Sequence, residues 1–206
     1  DFSSVESRGL AWLAGAKWKI NAFKDGKDLY KVQAQTIYGV RYEDVTKEQR
    51  QTGKIGELSC GYGAGPGAVS RFAKGYGVEM TEAEALQLVR DWRAANPEVV
   101  QLWEDIDSAL HQAVESKMTQ AIKVGHDLQL AFVPINTPQS LTKIHPGAQS
   151  FEMQLSHRYN TPEDKEPILR RVFHGCYRRG RNICIYKPSD NKTGPLWKAS
   201  FEDPQT

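Results

Sequence analysis

The chain has 206 residues, of which 39% are hydrophobic and 25% are charged. This composition indicates a folded globular protein of one large or two small domains and excludes a disordered chain. Because 27 Lys and Arg nearly balance 25 Asp and Glu, the net charge of +2 does not by itself indicate a nucleic-acid partner.

The N-terminal part of the chain is predicted to be helical. Apolar residues at helical spacing predict a helix within 1–14, and a second amphipathic stretch covers 27–38. The residues predicted to share one face of the first helix are Val5, Leu10, Leu13 and Ala14. Thr46 and Gln49 form a capping-box signal that opens a helix reaching Cys60, where a glycine-rich segment ends it.

Three further helices are predicted after the glycine-rich segment. A short one covers 69–76, and a longer one opens with Thr81 as N-cap and Glu84 at the capping-box position. Its apolar stripe consists of Ala85, Leu88, Val89 and Trp92. The Asn96-Pro97 pair ends it, and a helix over 98–118 follows, so that the last two are predicted to form an antiparallel pair.

Beyond residue 120, apolar residues recur at the shorter spacing that is typical of β-strands. The segments 128–135 and 182–187 are predicted strands, proline residues punctuate the segments between them, and His126-Asp127 is predicted to lie in a turn. The fold class predicted for the whole chain is therefore mainly α (α+β), with a few short strands.

Cysteine usage and the chain start give two further expectations. Cys60, Cys176 and Cys184 are an odd number without metal-ligand spacing, so we expect reduced thiols in a cytosolic protein. No apolar run approaches the roughly 18 residues that a membrane helix needs. The chain begins at Asp1 rather than Met, without a signal peptide, and we expect it to be a piece of a longer protein.

The first chemical pattern is a pair of carboxylates at the start of the chain. Asp1 and Glu6 stand in the sequence Asp-Phe-Ser-Ser-Val-Glu-Ser-Arg, which runs directly into Leu-Ala-Trp-Leu-Ala at 10–14. An Asp and a Glu at this separation occur by chance in most proteins, so the pattern gains weight only from its context.

The second pattern is a stripe of Arg50, Lys54, Leu58 and Tyr62, spaced four residues apart along one helix face. Such a stripe suits a nucleoside triphosphate, with cations against the phosphates, an apolar side chain against the sugar and base, and the tyrosine at the template end. Taken singly, the cations are more often a solvated helix face, and the leucine and tyrosine are more often core.

In this order and about fifty residues apart, the two patterns resemble motifs A and B of phage-type family A DNA polymerases. The family patterns are D-Y-S-Q-I-E-L-R and R-x-x-x-K-x-x-x-[F/Y]-x-x-x-Y-G. The segment from Phe23 to Tyr30 resembles A-F-x-x-G-x-D-[I/L]-H of that family, with Tyr30 replacing the usual His. The resemblance covers 1–118, and 180–188 vaguely resembles a hairpin of phage members.

The resemblance implies a nucleotide-binding fingers fragment of a DNA-directed DNA polymerase. It implies a helical fingers subdomain with short strands from the palm edge and the C-terminal hairpin. The expected divisions are 1–45 at the palm–fingers junction, 46–118 as the fingers helices, and 119–206 as an irregular, partly β segment leading toward a palm that this chain lacks. The implied partners are a DNA primer-template, a deoxynucleoside triphosphate and the remaining palm and thumb, in the cytoplasm of a phage-infected or lysogenic bacterium and with no membrane.

For the chemistry, the resemblance implies two-metal phosphoryl transfer with Mg²⁺ as cofactor. Asp1 matches the first metal-binding carboxylate, and the Phe2 backbone carbonyl would be a further ligand. Arg50 and Lys54 match the pair that binds the phosphates, and Lys54 would also donate a proton to the leaving pyrophosphate.

For nucleotide selection, the resemblance implies four further roles. Glu6 matches the residue that crowds the sugar 2′ position and so selects deoxyribose. Leu58 matches the position that packs on the sugar, Tyr62 matches the aromatic near the templating base, and Tyr30 is placed to reach a phosphate through its hydroxyl.

Three departures from the family pattern carry expectations. Leu58 replaces the usual aromatic, so we expect slower and more selective synthesis, which Leu58→Phe should alter. Glu57 would add negative charge near the nucleotide if it faced inward. The second metal carboxylate, expected in an H-D-E motif, has no match, because the flanks of His126-Asp127 are wrong. We therefore expect no primer extension by this chain alone.

Two other functions stay open at this point. One is a non-catalytic nucleic-acid-binding module that uses the arginine cluster Arg170, Arg171, Arg178, Arg179 and Arg181. The other is a scaffold in which the helices of 81–118 pack against a partner.

Overall fold

The protein is described by a computed structural model that covers residues 4–144, 146–158, 167–179, 182–184 and 198–199. The chain divides into two compact units, of which the first ends at Gln101 and the second begins at Leu102. None of the described helices is both long enough and apolar enough to cross a membrane.

The first unit is helical throughout its regular structure. Its helices are α1 (Val5–Ala14), α2 (Lys17–Lys24), α3 (Leu29–Tyr38), α4 (Lys47–Cys60), α5 (Pro66–Gly75) and α6 (Glu82–Ala95). A 3-10 turn at Tyr42–Asp44 separates α3 from α4. The next helix, α7 (Pro97–Ser116), begins in this unit and continues in the second.

Local sequence signals set the ends of these helices. The side chains of Thr46 and Thr81 each accept a hydrogen bond from the backbone N–H of the third helical residue, and the side-chain oxygens of Gln49 and Glu84 each accept one from the cap backbone N–H. Gly15 ends α1 in the left-handed conformation with a φ of 71°, which a residue without a Cβ adopts at little cost.

The core of the first unit forms where α4 meets α3 and α6. Gly53 lies so close to α3 that a Cβ at this position would stand 2.3 Å from the Tyr30 carbonyl oxygen. On the other side of α4, Gly56 faces Leu88 and Trp92 of α6. The predicted stripe of α6, consisting of Ala85, Leu88, Val89 and Trp92, is buried. Burial of each large apolar side chain stabilises the fold by about 1.5 to 3 kcal/mol.

The second unit is built around an antiparallel sheet. Its strands are β1 (Gln120–Val124), β2 (Leu128–Ile135), β3 (Gln149–His157), β4 (Leu169–Arg179), β5 (Asn182–Cys184) and β6 (Lys198–Ala199), and α8 (Gln139–Ile144) lies between β2 and β3. Each strand pairs with the next in chain order, and the register between β3 and β4 shifts near Gln149 and Phe151. Buried side chains of this unit include Val124, Leu128, Phe132, Phe151 and Cys176.

Most of the predicted elements are confirmed. The fold class is mainly α (α+β), as expected. The helices predicted in 1–14, 27–38 and 46–60 correspond to α1, α3 and α4, and the strand predicted at 128–135 is β2. Of the strand predicted at 182–187, the first three residues form β5 and 185–187 lie outside the described residues. His126 and Asp127 lie in the turn between β1 and β2.

Three sequence expectations need correction. Val5 does not share the buried face of α1, because its side chain is 56% exposed while Ser7 and Ala11 are buried instead. Helix α5 begins at Pro66 rather than at residue 69, since a proline in the first helical position has no amide hydrogen to leave unpaired. Helix α2 was not predicted. The antiparallel pairing of α6 with α7 and the three-part division at 45 and 118 stay predictions.

Candidate nucleotide-binding site

The predicted stripe lies on α4 and the turn that follows it. Arg50, Lys54 and Leu58 are partly exposed along the helix, and Tyr62 follows the C-cap Gly61 with 70% of its side chain exposed. The capping box at Thr46 fixes where α4 begins and therefore which residues face outward. The buried residues between the stripe positions are Gly53, Ile55, Gly56, Glu57, Ser59 and Cys60.

Arg50 is held by Asp28, which is the N-cap residue of α3, and by Tyr30 of α3. Its Nε donates to Oδ2 of Asp28 at 2.7 Å, and its guanidinium carbon stands 5.2 Å from the centre of the Tyr30 ring. Oδ1 of the same Asp28 accepts hydrogen bonds from the backbone N–H groups of Tyr30 and Lys31. The structure therefore brings Arg50 and Tyr30 together, through a carboxylate to which the sequence analysis gave no role.

Lys54 lies against an aromatic pair at the end of α5. Its Nζ is 4.6 Å from the centre of the Tyr76 ring, which packs on the Phe72 ring at a centroid separation of 5.1 Å. An ammonium over the face of an aromatic ring is attracted by its negative potential, and the contact restricts the lysine side chain. Tyr76 is a site residue that the sequence analysis missed, because it is remote in sequence from the α4 stripe.

Glu6, Leu58 and Tyr62 line one groove between α1 and α4. The groove has a volume of about 360 Å³, and Leu10 and Leu13 of α1 complete its apolar wall. A hydrogen bond to the Glu6 carboxylate is the largest cause that raises the pKa of the Tyr62 phenol above its ordinary value of 10.0. Of the residues that the sequence analysis assigned to nucleotide selection, three therefore share a single surface depression.

Glu57 is one of the residues that line this groove, and its carboxylate is held by two buried donors. Both carboxylate oxygens accept hydrogen bonds from the Lys19 Nζ at 2.8 Å, and Oε2 also accepts one from the Trp92 Nε1 at 3.2 Å. Lys19 and Glu57 are 1% and 2% exposed. Lys19 neutralises this carboxylate, so the pair adds no net charge beside the groove, and the effect of Glu57 on nucleotide binding stays a prediction.

The predicted metal ligands, Asp1 and Phe2, lie outside the described residues. Within the ranges that the structure covers, no group of three or more His, Cys, Asp or Glu side chains is arranged to hold a metal ion. An aspartate carboxylate and a backbone carbonyl are hard oxygen donors, which is the donor type that Mg²⁺ prefers. The chemistry of the proposed pair therefore fits this ion.

The arginine cluster of the alternative function is described only in part. Arg170 and Arg171 are exposed on β4, where the Arg170 Nε lies 3.8 Å from Oε1 of Glu152 and Arg171 stands over the Phe173 ring. The side chains of Arg178, Arg179 and Arg181 lie outside the described residues. The neighbouring Glu152 carboxylate therefore reduces the positive charge that Arg170 offers to a phosphate.

Both described thiols of the chain are buried and free. Cys60, at the end of α4, and Cys176, on β4, form no disulfide, as expected from their spacing. Burial raises the pKa of Cys60 from 9.0 to about 11 and that of Cys176 to about 12, so neither is a thiolate near neutral pH.

Comparison with known proteins gives one consistent result. The sequence model of DNA polymerase family A matches residues 1–129, which include every residue of the candidate site. The chain is 34% identical to the DNA polymerase of Bacillus phage SP02 over 134 residues, a match that covers 64% of this chain and 20% of that protein.

Further relatives include a bacterial and a second phage polymerase. It is 35% identical over 106 residues to DNA polymerase I of Aquifex aeolicus, covering 51% of this chain and 18% of that enzyme. A second phage protein, the DNA polymerase of Bacillus phage SP01, is 27% identical over 99 residues, covering 48% of this chain and 11% of that protein. The chain thus spans about a fifth or less of the length of these relatives.

Proposed function

The chain belongs to DNA polymerase family A, and from that premise we propose that its first unit binds the incoming nucleotide in template-directed DNA synthesis. The observation that supports this most directly is the α4 face. It carries Arg50 and Lys54 near its start and middle, and leads to a groove lined by Leu58, Tyr62 and Glu6. The order of cations, apolar side chain and aromatic matches the order of phosphates, sugar and base in a nucleotide.

In this proposal the cations bind the triphosphate. The Arg50 guanidinium uses its Nε for Asp28, so its terminal nitrogens are the groups directed to phosphate oxygens. The Lys54 ammonium exchanges its contact with the Tyr76 ring for a phosphate oxygen and donates a proton to the pyrophosphate as it leaves. Positive charge placed where negative charge develops stabilises the transition state more than the ground state.

The groove selects the sugar. Glu6 crowds the 2′ position, Leu58 packs on the sugar face, and Tyr62 stands where the templating base arrives. The influence of the Glu6 carboxylate on the Tyr62 phenol, whose pKa it raises, supports this arrangement, because the two side chains line the same depression. A ribose hydroxyl would have to displace or overlap these side chains.

Asp1 and the Phe2 carbonyl would hold Mg²⁺, which when bound supplies charge neutralisation of the phosphates and activation of the primer hydroxyl. In the proposed assignment, 1–45 belongs to the palm–fingers junction and 46–118 to the fingers. The complete reaction further requires a second carboxylate, a primer-template and the rest of a polymerase, in the cytoplasm of a phage-infected or lysogenic bacterium. The isolated chain is proposed to bind a nucleotide without extending a primer.

A magnesium-dependent titration of a deoxynucleoside triphosphate tests the proposal. The parent chain is compared with Lys54→Ala and with the matched control Lys47→Ala, which removes the same charge from an exposed position at the start of α4. We expect Lys54→Ala to weaken binding about tenfold and Lys47→Ala to change it less than about twofold. Equal affinities in all three proteins would contradict the proposal and favour the nucleic-acid-binding module.

A further inference from the structure

A buried charged cluster joins three helices of the first unit beside the candidate site. Lys19 of α2 donates to both oxygens of Glu57 of α4, each at 2.8 Å, and Trp92 of α6 donates to one of them at 3.2 Å. The Lys19 Nζ also lies 5.1 Å from the centre of the Trp92 ring. Burial is the largest influence on Lys19 and lowers its pKa, while the Glu57 carboxylate acts in the opposite direction.

The cluster connects the two walls of the nucleotide groove. One wall is α1, which packs on α2, and the other is α4, which packs on α3, α5 and α6. Glu57 directly precedes Leu58 and lies five residues before Tyr62, so the carboxylate is attached to the part of α4 that lines the groove. Lys19 is attached to the helix that follows α1, which carries Glu6.

A buried ion pair fixes the relative position of two helices more precisely than contact between apolar side chains does. Two apolar helix faces can slide or rotate by a fraction of an ångström at small cost, because the buried area barely changes. Separation of Lys19 from Glu57 would leave charges in a medium of low dielectric constant without a partner, which is strongly unfavourable. The Trp92 N–H donates to the same carboxylate from a third helix, so both the position and the orientation of the carboxylate are determined.

Net stability does not explain such a pair. A buried ion pair can often be replaced by well-packed apolar residues with little loss or even a gain in stability, because desolvation offsets most of the attraction. What the pair does define is an arrangement of the helices, because its hydrogen bonds are directional.

We propose that Lys19 and Glu57 are positioning residues of the nucleotide site, which hold α4 against α1 and α2 so that Leu58 and Tyr62 face Glu6 at the separation that sugar selection requires. This inference rests on the proposed function of the groove. It assigns to the pair a role in discrimination between deoxyribose and ribose that acts through the positions of Leu58, Tyr62 and Glu6.

The test uses a double variant that removes both charges together. In Lys19→Met/Glu57→Leu no buried charge is left unpaired, and the side chains keep roughly their volume. The matched control is Lys17→Met/Glu48→Leu, which makes the same replacements at exposed positions of the same two helices. Thermal unfolding of both variants measures stability separately from binding.

The decisive quantity is the ratio of the dissociation constants for a ribonucleoside and a deoxynucleoside triphosphate in the presence of Mg²⁺. We expect the double variant to lower this ratio about tenfold, and the control to leave it within about twofold of the parent value. Loss of folded protein would affect both nucleotides equally and would not move the ratio. A ratio unchanged in the double variant would overturn the proposal.

A second readout needs no nucleotide. The pKa of the Tyr62 phenol can be followed by NMR of isotope-labelled tyrosine, with the signal assigned by its absence in Tyr62→Phe. We expect the raised pKa to fall toward 10.0 in the double variant, as it should in Glu6→Gln, because Tyr62 no longer meets Glu6. If the parent bound no nucleotide, the proposed function would fail, and a phenol pKa that stayed raised in the double variant would separately overturn the positioning role.

Discussion

At the scale of single residues, Asp28 performs two tasks with one carboxylate. Oδ1 caps the N-terminus of α3 by accepting from the Tyr30 and Lys31 amides at 3.0 and 3.4 Å, and Oδ2 accepts from the Arg50 Nε at 2.7 Å. The cap is a local interaction between neighbours in sequence. The ion pair joins α3 to α4, and because both side chains are about one-third exposed it should contribute little to stability.

Substitutions at Asp28 can separate the two tasks. Asp28→Asn keeps a good capping group and removes the charge, so we expect a loss below about 1 kcal/mol in the free energy of unfolding. Asp28→Ala removes the cap as well and should cost about 1 to 2 kcal/mol. Urea unfolding of both variants checks this expectation, and equal losses would show that the cap does not stabilise α3.

Cys60 makes stability depend on pH in the alkaline range. Its pKa is raised from 9.0 to about 11 by burial, so the folded protein holds the thiol proton more tightly than the unfolded chain does. Its contribution is therefore fully present below pH 9.0 and is lost as the pH rises through about 11. The difference corresponds to about 3 kcal/mol at most.

We expect the free energy of unfolding to fall less steeply in Cys60→Ala than in the parent when the pH is raised through this window. The comparison cancels the titration of lysine and tyrosine side chains that both proteins share. Denaturant unfolding at several pH values measures the slopes. Parallel slopes for the two proteins would contradict the assignment of this effect to Cys60.

At the scale of elements, the position of α4 depends on two glycines where it packs against its neighbours. A Cβ at Gly53 would stand 2.3 Å from the Tyr30 carbonyl oxygen and 3.0 Å from the Ala34 amide nitrogen, both backbone atoms that cannot rotate away. A Cβ at Gly56 would meet Leu88 at 3.3 Å. The close approach of α3 and α4 is what allows Asp28 and Tyr30 to reach Arg50.

Gly53→Ala should therefore destabilise the first unit, even though alanine favours a helix over glycine by about 1 kcal/mol. We expect a net loss of about 1 to 3 kcal/mol from the displaced helix. The matched control is Gly9→Ala in α1, where a Cβ meets nothing within 4 Å, and this variant should gain about 0.5 to 1 kcal/mol. Thermal unfolding of both variants measures these changes in stability. A gain in stability in both variants would refute the packing argument.

The difference between local interactions and tertiary packing explains which elements the sequence could predict. The capping boxes of α4 and α6 are local, so their residues were sufficient to place both helix starts. Helix α2 was missed because Lys19, which is buried in its ion pair, counts as a polar residue in any periodicity and hides the apolar face. The start of α5 was missed because Pro66 lies in the glycine-rich segment that ends α4, whereas it occupies the first turn of α5.

For the candidate site, the sequence predicted which residues share the α4 face but not what holds them. The spacing of Arg50, Lys54 and Leu58 follows from helix geometry alone. The partners of Arg50 and Lys54, which are Asp28 and Tyr76, lie at the ends of other helices, and such pairings depend on tertiary packing rather than on local pattern. The roles of the site residues in nucleotide binding stay predictions.

At the scale of the whole molecule, every described residue of the candidate site belongs to the first unit. The described part of that unit lies within the 129 residues that match DNA polymerase family A, and the match ends early in the sheet of the second unit. The chain spans about a fifth of the length of the phage SP02 relative. The account therefore assigns nucleotide binding to the first unit and leaves the sheet without an assigned ligand.

The most direct measurement is a map of backbone amide chemical shifts in the 206-residue chain during titration with a deoxynucleoside triphosphate and Mg²⁺. The account predicts that the largest changes follow Arg50, Lys54, Leu58 and Tyr62 and extend to Glu6 across the groove. It predicts that Lys54→Ala shifts these changes to higher nucleotide concentration without moving them elsewhere. Changes confined to β4 around Arg170 and Arg171, or no changes at all, would contradict the central claim that α4 is the nucleotide-binding face.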